Sequence, residues 1–349
     1  MIDWVTVEIP LEHSPIATDR YIKVSADGTI EYESLCRVRV PGSFESTIGV
    51  KSCGADGKGR ATHLHLDGNP SKFLQGHNVF GTNDFLSLVR HMAIYVCGHL
   101  GLAPTVDETM AWNRGEYRVT RVDINESFEL DTLLNVRSWL KAAELKSKTR
   151  HGRPTSKGGT VYWGQHSRRW ALKAYCKYDE LHSGRKHELP GNLRDTDLPK
   201  WAETKLRIEL VLRQKQLTQE GVTQGSHLTV KRITQLFNDY LGRLEMSRNV
   251  TLSNAKVMDL PRKVQSTYML WSQGIDVRSL LPKTTFYAHR KCLVDHGIDI
   301  NMSCDSPSVT NVVPLLRVLE ARPAGVPDWA YKQGLVFDPY TVKPNLRVA

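Results

Sequence analysis

The segment VTRVDINES, residues 119–127, alternates apolar and polar side chains with the period of a β-strand. Val122 and Ile124 would point to one face of that strand, and Arg121 and Asp123 would point to the other. This pattern is typical of an antiparallel sheet whose apolar face is covered by helices while its other face carries ionisable groups. The segment therefore predicts the fold class and indicates where a functional site would lie.

Three other segments, far apart along the chain, show the same alternation. They are THLHLDG (62–68), WALKAYC (170–176) and KLRIELVLR (205–213). Their polar positions carry His63, His65, Lys173, Tyr175, Arg207 and Glu209. If the four strands pair in one sheet, these side chains would meet over a single surface.

Two amphipathic segments are candidates for the helices that cover the apolar face. The first begins at Asp84 and ends near Gly101, a residue type that commonly stops a helix. The second begins near Leu130, with Asp131 as its expected N-cap. The fold class that we expect is α+β, an antiparallel sheet with helices on one face.

The chain is long enough for two domains. We expect the sheet domain over residues 1–222 and a helical domain over residues 223–349. In the second, residues 263–299 predict three short helices with the layout of a helix-turn-helix unit, whose last helix would bring Lys283 and Arg290 to duplex DNA. The alternative is a helical bundle that makes no contact with DNA.

Positive charge is in excess, with 47 Lys and Arg against 37 Asp and Glu and a net charge of +10. Between Arg137 and Lys173 the chain carries ten basic residues and one acid, Glu144, interleaved with Trp and Tyr. Cations that follow a phosphate chain, with aromatic faces for the bases, suit single-stranded nucleic acid. Arg168, Arg169 and Lys173 are therefore candidate DNA contacts, and the alternative is a solvated basic face.

Other features exclude several classes of protein. No run approaches the roughly 18 consecutive apolar residues of a membrane span, and the N-terminal MIDWVTVEIP lacks the plan of a signal peptide. The six cysteines form no close pair with the spacing of metal ligands, so we expect them to be reduced. We expect a cytoplasmic protein that does not contact a membrane.

Imidazole and carboxylate groups on the predicted strands are candidate ligands for a divalent cation. The four candidates are His63, His65, Asp123 and Glu209. Together they suit Mg²⁺ or Mn²⁺, provided that the strands converge. The alternatives are a half-exposed histidine pair and carboxylates that pair with neighbouring arginines, but the shared strand faces favour a site.

The segment that follows the histidines, GNPSKFLQGHN, predicts a turn and a short helix. Lys72 is a candidate phosphate contact. His77 and Asn78 could contact DNA or support a metal ligand, and Arg121 is a further candidate DNA contact on its strand. A purely structural turn at Asn78 is the alternative.

Several short motifs of this sequence recur in one known family. They are MID at the start, NPSKFLQGHNVFGTND, VTRVDINESF, TVYWGQHSRRWALKAYCKYDELH, LRIELVLR and NVVPLLRVLEARPAGVPDWA. In this order they resemble the gene II replication initiators of filamentous bacteriophages, which are related in chemistry to the HUH (His, hydrophobic, His) endonucleases of rolling-circle replication. The resemblance spans nearly the whole chain and is weakest between about Gln214 and His289.

The resemblance implies an HUH-like nuclease that cuts one strand of supercoiled origin DNA, holds the 5′ end as a phosphotyrosine, and later rejoins it. The tyrosine of the family's AY-x-K word falls on Tyr175. Lys177, expected on the same strand face, would lower the phenol pKa or neutralise the phosphate, whereas Tyr178 would lie on the opposite face. The implied partners are double-stranded origin DNA, the displaced single strand, and the helicase and polymerase of the host, in whose cytoplasm the protein would act.

One departure from the family pattern concerns the two histidines. In the best-known members these positions are not both histidine, and a carboxylate stands at the position of His65. This chain is therefore closer to the general HUH pattern, and Asp123 or Glu209 could complete the metal site. The alternative functions are a plasmid relaxase or transposase with the same chemistry, or a DNA-binding regulator without catalysis.

Overall fold

The computed structural model describes residues 1–16, 19–42, 46–184, 187–246, 257, 259–296, 298–301, 304 and 323–339. Its strands are β1 (Ile2–His13), β2 (Arg20–Val24), β3 (Ile30–Leu35), β4 (Val38–Pro41), β5 (Thr47–Cys53), β6 (Ala61–Gly68), β7 (Arg118–Glu129), β8 (Ser147–Lys148), β9 (Thr155–Lys157), β10 (Thr160–Trp163), β11 (Trp170–Cys176), β12 (Lys205–Arg213) and β13 (Glu245–Met246).

The helices of the described residues are α1 (Pro70–Gln75), α2 (Phe85–Leu100), α3 (Val106–Arg114), α4 (Leu133–Lys146), α5 (Lys177–Leu181), α6 (Gly191–Arg194), α7 (Leu198–Ala202), α8 (Gln214–Gln219), α9 (Val230–Leu241), α10 (Arg262–Ser272), α11 (Val277–Leu280), α12 (Lys283–Val294) and α13 (Asp328–Lys332). The α+β fold class is confirmed.

One sheet dominates the structure, with nine described strands in the order β4-β5-β6-β1-β7-β12-β11-β10-β9. Every neighbouring pair is antiparallel. The four strands expected from sequence are β6, β7, β11 and β12, and β7, β12 and β11 are adjacent. Lys173 pairs with Glu209, which pairs with Asn125, while Tyr175 pairs with Arg207. These polar side chains therefore share one face.

The other face of the sheet is the apolar core. Ile124 and Leu210 are fully buried there, against apolar side chains of α2, α4 and α9. Helix α2 begins and ends as predicted, with Asp84 as N-cap and Gly101 at a left-handed φ of 65°. The expected N-cap of α4 was wrong: Thr132 accepts a hydrogen bond from the backbone of Asn135, so the helix begins one residue later than Asp131 predicts.

The C-terminal region is helical where the structure describes it. Helices α10, α11 and α12 bury an apolar cluster of their own that includes Trp271, Phe286 and Leu293. Helix α9, in contrast, contributes Ile233 and Leu236 to the core of the sheet. Residues 305–322 and 340–349 of the expected second domain lie outside the described residues. The expected division between residues 222 and 223 stays a prediction.

Part of the polar sheet face is also covered, which the one-sided helical layer expected from sequence did not anticipate. Residues of α5, α6, α7 and α13 form a third apolar cluster with Val79 and Phe80. Trp329 packs edge-on against Phe80 at 5.6 Å between ring centroids. The chain therefore returns from its C-terminal part to close one end of this face. Among the described residues no helix is long and apolar enough to cross a membrane.

Replacing Leu210 by Ala should lower the free energy of unfolding by about 2–5 kcal/mol, because it leaves a cavity in the middle of the core. Urea unfolding measures this change as a shift of the midpoint with an unchanged slope. The control is Val106→Ala, whose side chain is 77% exposed and whose effect should stay within about 0.5 kcal/mol. Equal stability of the two variants would contradict the placement of Leu210.

Candidate active site on the polar sheet face

Glu209 lies at the centre of the polar face, between Lys173 on β11 and Asn125 on β7. The Lys173 ammonium donates to Glu209 Oε1 at 2.5 Å. The hydroxyl of Tyr175 donates to Glu209 Oε2 at 3.5 Å. A nucleophilic side chain, a carboxylate and a cation therefore meet at one point, on two neighbouring strands.

Burial dominates the electrostatics of this point. Desolvation raises the pKa of Glu209 to about 8; Lys173 opposes the rise, and the charges of Asp3 and Asp123 add to it. Burial also raises the pKa of Tyr175 well above its usual value, with Glu209 adding to the rise and Arg207 opposing it. The phenol is therefore protonated at neutral pH and needs a base in order to react.

Asp3 belongs to this site although no role was predicted for it. The register between β1 and β7 shifts between Ile2 and Trp4. Asp3, which is 8% exposed, accepts hydrogen bonds from the side-chain amides of Asn69 and Asn78 at 2.8 and 2.9 Å. Asp3 is part of the motif MID, so the family resemblance was the feature of the sequence that could have identified it as a site residue.

Arg207 connects the site to the segment that covers it. Its guanidinium is fully buried and donates to the carbonyl oxygens of Asn78 and Val79 and to the hydroxyl of Ser127. An arginine can satisfy several acceptors at once through its planar fork. Arg207 therefore holds the 78–79 backbone over the strand that neighbours Tyr175.

Lys177 is placed differently from the prediction. Strand β11 ends at Cys176, and Lys177 is the first residue of α5, so it does not continue the strand face of Tyr175. Its buried ammonium donates to Asn78 Oδ1 at 2.9 Å and to Glu180 Oε2 at 2.7 Å. Burial lowers its pKa, although Glu180 opposes this effect. The side chain of Lys177 therefore contacts the covering segment at the point where the strand ends.

The two histidines differ in their surroundings. His63 is exposed, and its Nδ1 lies 2.9 Å from the hydroxyl of Thr62. His65 is 6% exposed, and its buried Nδ1 has no hydrogen-bonding partner among the described residues. Burial and the cations Lys51 and Arg37 lower the pKa of His65, which favours the neutral ring that binds metals.

The four predicted metal ligands do not converge in this structure. His65 pairs with Glu8 on β1, whereas Asp123 pairs with Trp4, farther along the same strand. Asp123 accepts two hydrogen bonds from Arg121, at 2.8 and 2.6 Å. Across the part of the chain that is described, no three or more His, Cys, Asp or Glu side chains are placed to hold a metal ion. The predicted set therefore does not fit a divalent cation as it stands.

Four predicted DNA contacts on or near the polar face serve internal interactions. His77 is 1% exposed and bonds through Nε2 to the carbonyl of Leu335 at 2.7 Å, and burial lowers its pKa to about 4. Asn78 bridges Asp3 and Lys177. Both side chains therefore make contacts within the protein, and their predicted role at DNA stays a prediction. Two further candidates, Arg121 and Lys173, bind the carboxylates described above.

The remaining DNA candidates lie elsewhere. Lys72 belongs to α1 and is half-buried. Arg168 and Arg169 are exposed in the turn before β11. Lys283 is exposed at the start of α12, and Arg290 on the same helix binds Asp299 with two hydrogen bonds of 2.6 and 2.8 Å. The structure therefore does not bring the predicted DNA contacts into one surface.

Arg213 is a residue of the polar face that sequence reasoning missed. It lies directly opposite Arg121 in the pairing of β12 with β7. Its buried Nη1 has no partner among the described residues. Burial, with the charge of Arg121, lowers its pKa. Asp123, which binds Arg121, opposes this lowering. Arg213 is therefore the cation of this pair that has a donor available to an anion.

The fold and the site define an α+β protein whose polar sheet face carries a buried cluster of ionisable side chains. Residues 1–232 match the family model described as the N-terminal part of the replication-associated gene II protein, and residues 252–336 match the model of its C-terminal part. The chain therefore belongs to the family of gene II replication initiators of filamentous bacteriophages.

Individual relatives agree with this assignment. The chain is similar to the replication-associated protein of Enterobacteria phage I2-2, with 46% identity over 328 residues that cover 94% of this chain and 95% of the relative. The replication-associated proteins of Enterobacteria phages M13 and f1 are 23% identical over 327 residues, with 76% of both chains covered. No solved structure shows significant similarity to the chain.

The raised pKa of Glu209 predicts a pH dependence of stability. Between the ordinary value of 4.5 and about 8 the folded protein keeps a proton on Glu209 that the unfolded chain releases. The free energy of unfolding should therefore fall as the pH rises through this interval, by at most about 1.4 kcal/mol per pH unit for one proton. Glu209→Gln should remove that contribution from the slope, as measured by urea unfolding at several pH values.

The control for this experiment is Glu116→Gln, since Glu116 is exposed and pairs with Arg114 on the surface. For this variant, the slope of the free energy of unfolding against pH should match that of the wild type over the upper part of the interval between pH 4.5 and about 8. Parallel curves for the wild type and Glu209→Gln would contradict the raised pKa.

Proposed function

We propose that this initiator nicks one strand of the phage replication origin with Tyr175 as the nucleophile, and that it later rejoins the strand. The observation that carries the proposal is the position of the Tyr175 hydroxyl, 3.5 Å from Glu209 Oε2. Lys173 and Arg207 flank the pair in the strand register. Membership of a family of replication-associated proteins supports DNA as the substrate.

The chemistry requires that the phenol lose its proton as it attacks. Tyr175 Oη forms a bond to phosphorus, the bond from phosphorus to the 3′ oxygen breaks, and the phenol proton passes to Glu209. A carboxylate with a pKa near the working pH is suited to this role of general base. The 3′ oxygen leaves as an alkoxide and takes a proton from water, and the 5′ phosphate remains on Tyr175.

The same groups can serve the reverse reaction. The phosphotyrosine ester resembles the phosphodiester in energy, so a free 3′ hydroxyl can attack it and release Tyr175 without ATP. Glu209, protonated in the first step, then returns its proton to the phenolate, and the attacking 3′ hydroxyl releases its proton to water. Lys173 holds the carboxylate in position in both directions.

We assign Lys177 a positioning role in this scheme. Its ammonium binds Asn78 and Glu180, while Asn78 donates to Asp3. This chain of contacts supports the segment that lies over Tyr175. Lys177 acts through these neighbours, and it does not contact the phosphate in our scheme.

Dependence on Mg²⁺ or Mn²⁺ is a separate part of the proposal, and no step above relies on it. A divalent cation neutralises the non-bridging oxygens of a phosphodiester. The unpartnered Nδ1 of the neutral His65 ring supports this residue as a ligand. His63, Asp123 and Glu209 would have to move in order to join it.

The partners that we propose are the double-stranded origin, the displaced single strand, and the host helicase and polymerase, in the cytoplasm of the host bacterium. The exposed side chains of Arg168 and Arg169 lie just before β11, which carries Tyr175. Tyr175 lies toward the opposite end of this strand, so the two arginines would be available to phosphates a few nucleotides from the nick. This position supports their role as DNA contacts.

Tyr175→Phe should abolish the covalent protein–DNA adduct because it removes the attacking oxygen. The measurement is denaturing electrophoresis after incubation with supercoiled DNA of the cognate origin and Mn²⁺. The control is Tyr178→Phe, since Tyr178 lies in α5 and packs against His182, and it should keep the adduct. An adduct in Tyr175→Phe would identify another nucleophile, and absence of nicking by the wild type would favour a non-catalytic DNA-binding regulator.

Removal of divalent cations with EDTA should stop nicking, and added Mn²⁺ should restore it. His65→Ala should raise the Mn²⁺ concentration needed for half-maximal nicking by about tenfold or more, the scale of losses at metal sites. The control is His99→Ala, an exposed position at the end of α2. Nicking that persists in EDTA would contradict the cation proposal while leaving the role of Tyr175 intact.

A further inference from the structure

A basic cleft lies between the loop that follows α4 and the C-terminal helices. It encloses about 370 Å³, within the range of small ligand pockets. One acid, Glu245, lines it together with six cationic or imidazole side chains, which are Lys148, Arg150, His151, Arg153, Arg278 and Arg290. The first four belong to the part matched by the N-terminal family model, and the last two belong to the part matched by the C-terminal model.

The acids at the cleft neutralise only part of this charge. Asp299 accepts from Arg290 at 2.6 and 2.8 Å and from Lys148 at 3.0 Å. Burial alone would raise the pKa of Asp299, but these two cations lower it below its usual value. Asp276 pairs with Arg153 at 3.0 Å. Glu245 also pairs with Lys148, at 3.3 Å. These ion pairs leave the guanidinium groups of Arg150 and Arg278 without a described acid.

Several polar atoms of the cleft lack partners. Nε2 of His151 and Nε of Arg153 are buried, without a hydrogen bond to any described residue. The guanidinium of Arg150 lies over the ring of Trp170 at 5.4 Å, and no described acid pairs with it. Arg278 reaches only a carbonyl oxygen, that of the Asn301 side chain, at 3.4 Å. Buried polar atoms usually have hydrogen-bonding partners, so these donors and the unpaired guanidinium groups are available to an anion.

The cleft is separate from the polar face that carries Tyr175. His151 packs edge-on against Trp170 at 4.6 Å. On β11, Trp170 shares its side of the sheet with Leu172 and Ala174, which belong to the apolar core. The cleft is therefore on the helical side of the sheet.

We propose that this cleft binds the phosphodiester backbone of single-stranded DNA. Its volume suits a short stretch of one strand, and a duplex is too wide to enter it. Tyr287, which lines the cleft and is 45% exposed, offers an aromatic face on which a base can stack. A strand held here would connect the two parts of the chain. The inference deepens the proposed function and rests on it for the choice of DNA as the polyanion.

The test uses the full-length chain with Arg150→Ala and Arg278→Ala combined. Both side chains are exposed and neither has a described carboxylate partner. Binding of a labelled oligothymidine is measured as a function of salt concentration. If two phosphate contacts are lost, the slope of log K against log salt should become shallower by about 1.4, at about 0.7 per contact for single strands.

The control removes the same charge from exposed sites outside the cleft, Lys231→Ala with Lys332→Ala, and should keep the wild-type slope. A second variant, Tyr287→Ala, leaves the charge intact and should weaken binding by about tenfold through lost stacking. An unchanged slope in the arginine variant, or an equal effect in the control, would overturn the proposal. For a duplex of the same length, the arginine substitutions should change the salt slope less. An equal change for duplex and single strand would overturn the assignment to a single strand.

Nicking is measured separately, as formation of the covalent adduct on origin DNA. The wild type could fail to form the adduct while the arginine variant still shows a shallower salt slope for oligothymidine. That result would contradict the proposed function and leave the cleft proposal intact. Normal nicking with a wild-type salt slope in the arginine variant would contradict the cleft alone. The two failures are therefore distinguishable.

Discussion

The register of β11, β12 and β7 is the constraint on which the site depends. Lys173, Glu209 and Asn125 stand in one row across these strands, and Tyr175, Arg207 and Ser127 stand in the next. A slip of one residue would turn every polar side chain of a strand into the apolar core. The buried leucines and isoleucines of the opposite face oppose such a slip. The same packing that stabilises the sheet therefore positions the phenol beside its carboxylate.

Burying charge on this face is costly unless each group finds partners. Arg207 satisfies this requirement by binding the 78–79 backbone, and Lys177 does so by binding Asn78 and Glu180. These contacts of Arg207 and Lys177 hold the covering segment in place. The covering segment in turn excludes water from Tyr175. The resulting desolvation raises the pKa of Glu209 into the range of a general base at neutral pH. Structural and chemical roles thus rest on the same contacts.

Sequence periodicity predicted much of this arrangement, since alternation identified four strands and the faces of Asp123, Tyr175 and Glu209. It did not predict that β11 ends at Cys176, because the alternation of polar and apolar residues continues through Lys177. The role of Asp3 was missed because an irregularity in β1 has no local pattern. Alternation gives the face on which a side chain lies, but it does not give the distance between two strands. It therefore could not show whether the predicted metal ligands converge.

The uneven covering of the polar face limits how a strand can reach Tyr175. Arg207 and the 78–79 backbone close the face at one end. At the other end of β12, Arg213 lies opposite Arg121, whose side chain is 33% exposed. Asp123, in the next row of the sheet toward the covered end, binds Arg121, so the buried Nη1 of Arg213, without a partner among the described residues, is the donor left for a phosphate. Under the proposed function, the scissile strand therefore approaches over the arginine pair and reaches Lys173 and Glu209 before it meets Tyr175.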